Sequence, residues 1–403
     1  MTTTIDNEHK TFNVPNLRFP EFEGEWEEHG LSEFLDFKNG LNPKPEKFGK
    51  GIKFISIMDI LNNTIITYDS IKACVDANNK EIDNYSVKMG DLLFQRSSET
   101  LEDVGRANVY MDEKPAIFGG FVIRGKKKGE YNPLFFKNLL ETPFSRRKII
   151  PMGAGAQHFN IGQEGLSKVK LYFAPINEQN KIAKILSLLD DRISTQNKII
   201  DKLQSLIKGI SNRLLYADNS MSIRIEEMLI ERSERTKKNN QYEVLSSTMN
   251  GIFSQRDYFS KDIASDNNVG YKIIHLHDIV LSPQNLWMGN INFNDKFDIG
   301  IVSPSYKVFS IADGFDKKYV AALLKTHHAL YNYMLVSEQG ASIVRRNLNY
   351  EAFEQLVFKI PSLNKQQEIG HVISLLKSQL ENANLLIKTY NSQKQYLFRQ
   401  MFI

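Results

Sequence analysis

Cysteine is all but absent from this 403-residue chain. Cys74 stands alone, which excludes an internal disulfide and any metal site built on a cysteine cluster. Long apolar runs are missing too; none approaches the ~18 residues a membrane-spanning helix needs. The opening thirty residues hold no apolar signal core, and 1–14 read as a short polar tail. Charge of one sign is nowhere concentrated. Lysine and arginine total 51 against 47 aspartates and glutamates, a net charge of +4 without a basic tail. Any nucleic-acid contact must therefore come from local clusters on balanced domains. Together these features point to the cytoplasm, with no membrane partner.

Catalytic signatures are also missing. No G-x-x-x-x-G-K-[ST] phosphate loop occurs. The stretch nearest to the Asn/Asp-Pro-Pro-Tyr/Phe motif of adenine methyltransferases is "NPLF" (Asn132 to Phe135), which lacks the second proline and reads as a helix start. "GAGAQHF" precedes a strand-like segment instead of opening a helix, so it is no cofactor loop. His275 and His277 alternate on a strand, and His327 and His328 adjoin on a helix; neither pair has companions at metal-ligand spacing. No Ser/His/Asp set stands out. The chain is expected to be non-catalytic, without a metal or cofactor of its own.

What is present is a repeat. "EQNKIAKILSLLD" starts at Glu178 and "KQQEIGHVISLLK" at Lys365, 187 positions later. The same offset pairs Asp91 with Asp278, Asn160 with Asn347, Ile161 with Leu348, Leu166 with Phe353 and Leu171 with Phe358. "AIFGGFVIRG" matches "IVSPSYKVFS" as a strand-like run, and "NPLFFKNLLETPF" matches "KKYVAALLKTHHA" as an amphipathic helix. A period this long is a duplicated unit of one globular domain and one long helix. "KFISIMDI" and "DLLFQ" read as strands, and mixed strands and helices without βαβ alternation predict an α+β fold.

Each long helix carries a heptad seam. The first runs Ile182, Leu186, Leu189, Ile193, Gln196, Ile200, Leu203, Ile207, Ile210, Leu214. The second runs Ile369, Ile373, Leu376, Leu380, Ala383, Ile387, Tyr390, Lys394, Leu397, Met401. Pro175 and Pro361 precede them, where a missing amide costs little. Connectivity makes the pair antiparallel, because the second helix must run back from domain two. The expected architecture is two tandem mixed α/β domains separated by an antiparallel coiled coil, with approximate two-fold symmetry. Its segments are 1–175, a spacer helix 176–217, 218–361 and a second spacer helix 362–403. At about 1.5 Å per residue the seam is roughly 50 Å long, a ruler between two unlike domains.

Two variable domains alternating with repeated helices that begin "P…EQ..IA…LL" resemble the DNA-specificity (S) subunits of type I restriction–modification systems. The resemblance runs from about Leu17 to Ile403, anchored on "APINEQNKIAKILSLLDDRI", "GDLLF" and "VSPSYKVF". The second copy, "PSLNKQQEIG", departs by lacking the Glu-Gln pair and by one extra residue after Pro361. The resemblance implies two target-recognition domains, each reading half of a split sequence in double-stranded DNA. It implies two methylation subunits that carry S-adenosylmethionine and methylate adenine, and restriction subunits that use ATP and Mg to cleave DNA.

Polar loops after landmark strands supply the candidate readers. In domain one these are Gln95, Arg96, Ser97 and Ser98, with Gln157, His158 and Asn160 in the loop that contains Gly153 and Gly155. In domain two they are Gln284, Asn285 and Trp287, with Ser342, Arg345, Arg346 and Asn347. Arginine suits guanine, and asparagine or glutamine suits adenine. Phosphate contacts are expected from Arg124, Lys126, Lys127 and Lys128, from Arg146, Arg147 and Lys148, and from Lys237 and Lys238. Two other readings fit the same residues. One is a specificity module of a differently organised modification enzyme, and the other is a coiled-coil scaffold joining two protein-binding domains.

Overall fold

The computed structural model describes residues 13–215, 221–258, 267–339 and 345–403. Ser342 and most of the 1–14 tail lie outside the described residues. The chain forms two compact units, residues 1–197 with 386–403, and residues 198–385. The unit boundary falls inside each long helix, whereas the sequence reading cuts at the helix ends.

The first unit rests on an antiparallel sheet of β1 (Leu35–Asn39), β2 (Leu92–Gln95), β3 (Ala107–Val109) and β4 (Val122–Lys127), in the order β1-β4-β2-β3. The strand period of two divides the core between the faces of this sheet. Leu92, Phe94 and Ile123 pack with Phe135, Phe136 and Leu139 of α1 (Pro133–Glu141). Leu93 and Val122 face the other way, onto Ile55, Ile60 and Phe118. Helix α1 starts where "NPLF" predicts. The Asn132 side chain accepts from the Leu134 and Phe135 amides at 3.0 Å, and Pro133 fills the first turn.

"KFISIMDI" is not one strand. The strand ends at Ile55, and Ile57–Asn62 is helical. Ser56 and Asp59 explain the break, since the Asp59 carboxylate accepts from both the amide and the hydroxyl of Ser56 at 2.8 Å, capping the helix. "AIFGGFVIRG" likewise divides into Ala116–Phe118 and β4, with Gly119, Gly120 and Phe121 as the turn.

Helix α2 (Ile176–Leu215) is rooted in this unit. The Gln179 side chain accepts from the Asn132 amide at 2.9 Å and donates to the Ala174 carbonyl at 2.8 Å. It thereby ties the first turn of α2 to the cap of α1. Glu178, fully buried, forms a two-pronged ion pair with Arg18 at 2.8 and 2.7 Å. The segment 386–403 completes the core. Leu397, Met401 and Phe402 join Ile182, Leu186 and Leu189, and Phe402 lies edge-on to Trp26 at 6.3 Å. The Leu17 amide bonds the Gln400 carbonyl beside Arg18 and Glu178, while Lys394 pairs with Asp190 at 2.5 Å. Higher numbers on one helix meet lower numbers on the other, so the two run antiparallel here.

The second unit repeats the plan. β5 (Leu229–Glu231), β6 (Ile279–Leu281), β7 (Ile291–Phe293) and β8 (Lys307–Ile311) stand in the order β5-β8-β6-β7, all antiparallel. Their core meets Tyr319, Val320 and Leu323 of α3 (Lys317–Leu323) and Ile369 and Ile373 of α4 (Leu363–Gln400). Buried Asp91 accepts from the Lys88 amide at 3.0 Å, and buried Asp278 from the His275 amide at 2.8 Å, the same bond 187 positions on. Burial raises both carboxyls above their usual range, opposed by these amides. Gln366 takes the place of Gln179. It accepts from the Asp316 amide at the cap of α3 at 3.1 Å and donates to the Pro361 carbonyl at 2.9 Å. The second copy has therefore lost only the glutamate of the Glu-Gln pair; Lys365 stands there and pairs with exposed Glu368.

Along both helices the seam positions are the shielded ones. Ile182, Leu186, Leu189, Gln196, Ile200, Ile369, Ile373, Ala383, Leu397 and Met401 are buried. Ile193, Leu203, Leu376, Leu380 and Ile387 are half-buried, and between Asp191 and Ile210 every non-seam residue is exposed. Arg18→Ala should destabilise the first unit by about 3–5 kcal/mol, because it strands the Glu178 carboxylate in the core. Urea denaturation checks this, and Arg18→Ala with Glu178→Gln should recover much of the loss.

Candidate nucleic-acid interface

In domain one the two predicted loops meet. Beyond β2 the chain passes through Arg96 into Ser97–Ser98, which pairs antiparallel with Phe159–Asn160. The Ser97 hydroxyl donates to the Asn160 side-chain oxygen, and the Ile161 amide bonds the Arg96 carbonyl at 2.9 Å. Gly155 adopts φ +145°, a conformation that lets the loop turn back so that Asn160 reaches Ser97. Gln157, His158, Asn160, Lys126, Lys127 and Arg147 are exposed, and Arg96 and Ser97 are half-exposed.

Three candidates lie inside the fold, not at polar tips. Gln95 is 4% exposed and donates to the Ser97 carbonyl at 3.0 Å, which shapes the loop from beneath. Ser98 is buried and accepts from the Thr100 amide. Arg124, 9% exposed, bonds the Ser86 carbonyl and lies over Phe118. A fourth, Arg146, is half-buried and donates to the Glu102 and Val104 carbonyls at 2.8 and 2.6 Å, holding the segment that follows the Ser97–Ser98 strand. Burial lowers its pKa to about 10. Lys127 donates to the Tyr131 carbonyl, Lys128 pairs with Asp36, and Lys148 lies over Phe144.

Domain two also joins its predicted loops. The Arg346 amide bonds the Gln284 carbonyl at 3.1 Å, and the Arg346 guanidinium lies 4.5 Å over the Trp287 ring. Arg346–Leu348 pairs with Ser337–Gln339. Gln284, Arg345, Asn347, Lys237 and Lys238 are exposed; Asn285, Trp287 and Arg346 are half-buried. Lys325 fixes this loop from below, donating to the Gly289 carbonyl at 2.7 Å and to Met249 at 3.4 Å.

Two features escape the sequence reading. The hairpin Leu245–Thr248 with Gly251–Ser254 sets exposed Met249 and Asn250 beside the 282–290 loop, since Asn290 bonds Ser247 and Asn292 bonds Thr248. Its signal is the Asn250-Gly251 dipeptide between strand-forming residues. Phe121, in the turn before β4, stands out by exposure. Among the described residues no group of three or more His, Cys, Asp or Glu could hold a metal. His275 bonds Glu234 at 2.8 Å, and His277 stacks on Phe293 at 5.5 Å. None of the described helices is long and apolar enough to cross a membrane.

Residues 23–205 match the family described as type I restriction modification DNA specificity domain. A curated relative from Methanocaldococcus jannaschii, described as a type I restriction enzyme MjaX specificity subunit, is 26% identical over 211 residues, or 51% of this chain. The match covers 49% of that relative, so the chain spans about half its length. The crystal structure of a type I restriction–modification S subunit from M. genitalium superposes over 97% of this chain and 99% of its own, with a TM-score of 0.62 at 14% identity. A chain from a structure on complex assembly and conformational transition of the type I R-M system superposes over 94% and 97%, with a TM-score of 0.52 at 12% identity. Residues 23–205 are thus similar to the type I restriction modification DNA specificity domain family. The fold of the whole chain is that of a type I specificity subunit.

Burial lowers the Lys325 pKa to about 8, with Lys377 adding repulsion. The unfolded chain then holds this proton between about pH 8 and 10.5 while the folded chain does not. Stability therefore rises with pH across that window, and below it the cost of the buried charge is fully present. Between pH 7.5 and 9.5, the denaturation midpoint of wild type should gain on that of Lys325→Met; parallel pH profiles would contradict this.

Proposed function

We propose that this chain is the DNA-specificity subunit of a type I restriction–modification enzyme and reads a split, asymmetric target with its two domains. The observation that carries the reading is the contrast between scaffold and loops. The sheet order, the buried aspartates Asp91 and Asp278 and the clamping glutamines Gln179 and Gln366 recur. The surface that each scaffold presents does not: Arg96, Ser97 and Asn160 in one copy, Gln284, Trp287 and Arg346 in the other. Like frames with unlike polar tips suit two different half-sites, each base contact contributing about 1–3 kcal/mol of discrimination.

The long helices act as the spacer between the half-sites and as the dock for two methylation subunits. Half-sites on one face of B-DNA recur every ~34–36 Å, a span compatible with a seam of roughly 50 Å. Adenine-N6 methylation is carried out by the methylation subunits with S-adenosylmethionine. Cleavage is carried out by restriction subunits with ATP and Mg. This chain contributes sequence choice and geometry and no reacting group.

The test is a map of modified adenines after co-expression with a methylation subunit in a host without adenine methylation. A split asymmetric motif with a fixed gap is expected, and exchange of residues 218–361 should change one half only. A continuous or palindromic motif would remove the reading. Arg345→Ala should weaken recognition of the second half-site alone, measured by competition binding. Leu189→Asp should abolish assembly or folding, read by size-exclusion chromatography of the co-expressed subunits.

A further inference from the structure

Phe121 is 65% exposed, the highest value among the exposed large apolar side chains of the described residues. It does not sit on a loose loop. The Gly119 amide bonds the Ile55 carbonyl at 3.0 Å, the Val122 amide bonds Gly119 at 2.8 Å, and the Phe121 carbonyl accepts from the Arg96 amide at 2.9 Å. A side chain at Gly120 would meet the exposed Asn42 side chain and push it aside. The Arg96 guanidinium bonds the Gly120 carbonyl at 3.2 Å. Phe121 is thus held in a fixed position against Arg96, whose neighbour Ser97 bonds Asn160.

The fold does not demand an aromatic here. Lys307 lies opposite Leu281 as Ile123 lies opposite Phe94, so exposed Ser305 stands in the second copy where Phe121 stands in the first. One copy sets a hydroxyl at this turn; the other holds an apolar ring in water at a turn bonded by the Arg96 guanidinium, next in the chain to the Ser97–Asn160 pair. A rigid apolar tip flanked by such groups matches the major-groove edge of a base pair containing thymine, where a methyl group lies next to hydrogen-bonding atoms.

We propose that Phe121 is a specificity-determining residue of domain one and packs against the 5-methyl group of a thymine in the first half-site. The inference rests on the functional reading above, and the experiment separates the two. The full chain, assembled with its methylation subunit, is titrated with duplexes carrying the mapped target, in which each thymine of the first half-site is replaced singly by deoxyuridine. Wild type should lose about three- to five-fold in affinity at one position, the factor for one buried methyl group. Phe121→Ala should bind the thymine duplex that much more weakly and be indifferent to uridine there, while Phe121→Leu keeps part of the preference. Affinity for changes in the second half-site should stay as in wild type.

Equal loss on every sequence with Phe121→Ala would assign the ring to a wedge or general contact and overturn the proposal. So would wild-type binding that ignores every uridine, or a first half-site without thymine. Binding to a split target with any of these results leaves the functional reading standing. Failure of the wild-type assembly to select a split target removes both.

Discussion

A buried amide at the root of each long helix is the constraint on which the rest depends. Gln179 and Gln366 each accept from the capping residue of a domain helix and donate to the end of the preceding strand segment. Two backbone groups that would otherwise be orphaned beside a helix start are satisfied by one planar side chain. Because that plane is rigid, the angle between each domain and its stretch of helix is set within one turn of the helix. A domain free to swivel on this joint would present its loops in no fixed direction from its own stretch of helix. In the first copy Glu178 and Arg18 add a buried ion pair to the same joint; in the second, Lys365 and Glu368 remain at the surface.

The scaffold was largely legible before the structure, because it is written in period and offset. The seam positions read off at steps of three and four are the shielded ones, and the Asp91–Asp278 pairing is the same hydrogen bond twice. Misreadings came where a short polar signal overrode a longer apolar one. "KFISIMDI" looks like a strand until Ser56 and Asp59 are seen as a cap, and "AIFGGFVIRG" looks continuous until the two glycines are given a turn. The second copy lacks the glutamate of the Glu-Gln pair but keeps the glutamine, since Gln366 lies 187 positions after Gln179 and makes the same bonds.

Which candidate loops come together was legible in the sequence; which of their residues stand exposed was not. Pairing of the Ser97–Ser98 and Phe159–Asn160 segments, and of Arg346 with Gln284 and Trp287, joins loops that sequence placed on the same surface. Exposure within a loop depends on which way a strand's pleat turns, and that sent Gln95, Ser98 and Arg124 inward. These three still shape the site, since Gln95 bonds beneath Ser97 and Arg124 bridges to Ser86. A guanidinium with only carbonyl partners, like Arg146, tethers a loop as firmly as an ion pair.

The core of domain one contains Leu397, Met401 and Phe402, with Phe402 against Trp26 and stacked on Phe135. During synthesis Trp26 and Phe135 emerge from the ribosome long before the residues that cover them. Domain two can be made while domain one still has an open apolar face. Domain one is thus made before domain two but closes only after residues 386–403 emerge, and a stop codon ahead of them leaves it unfinished. A product truncated ahead of Leu397 therefore cannot present a completed first domain.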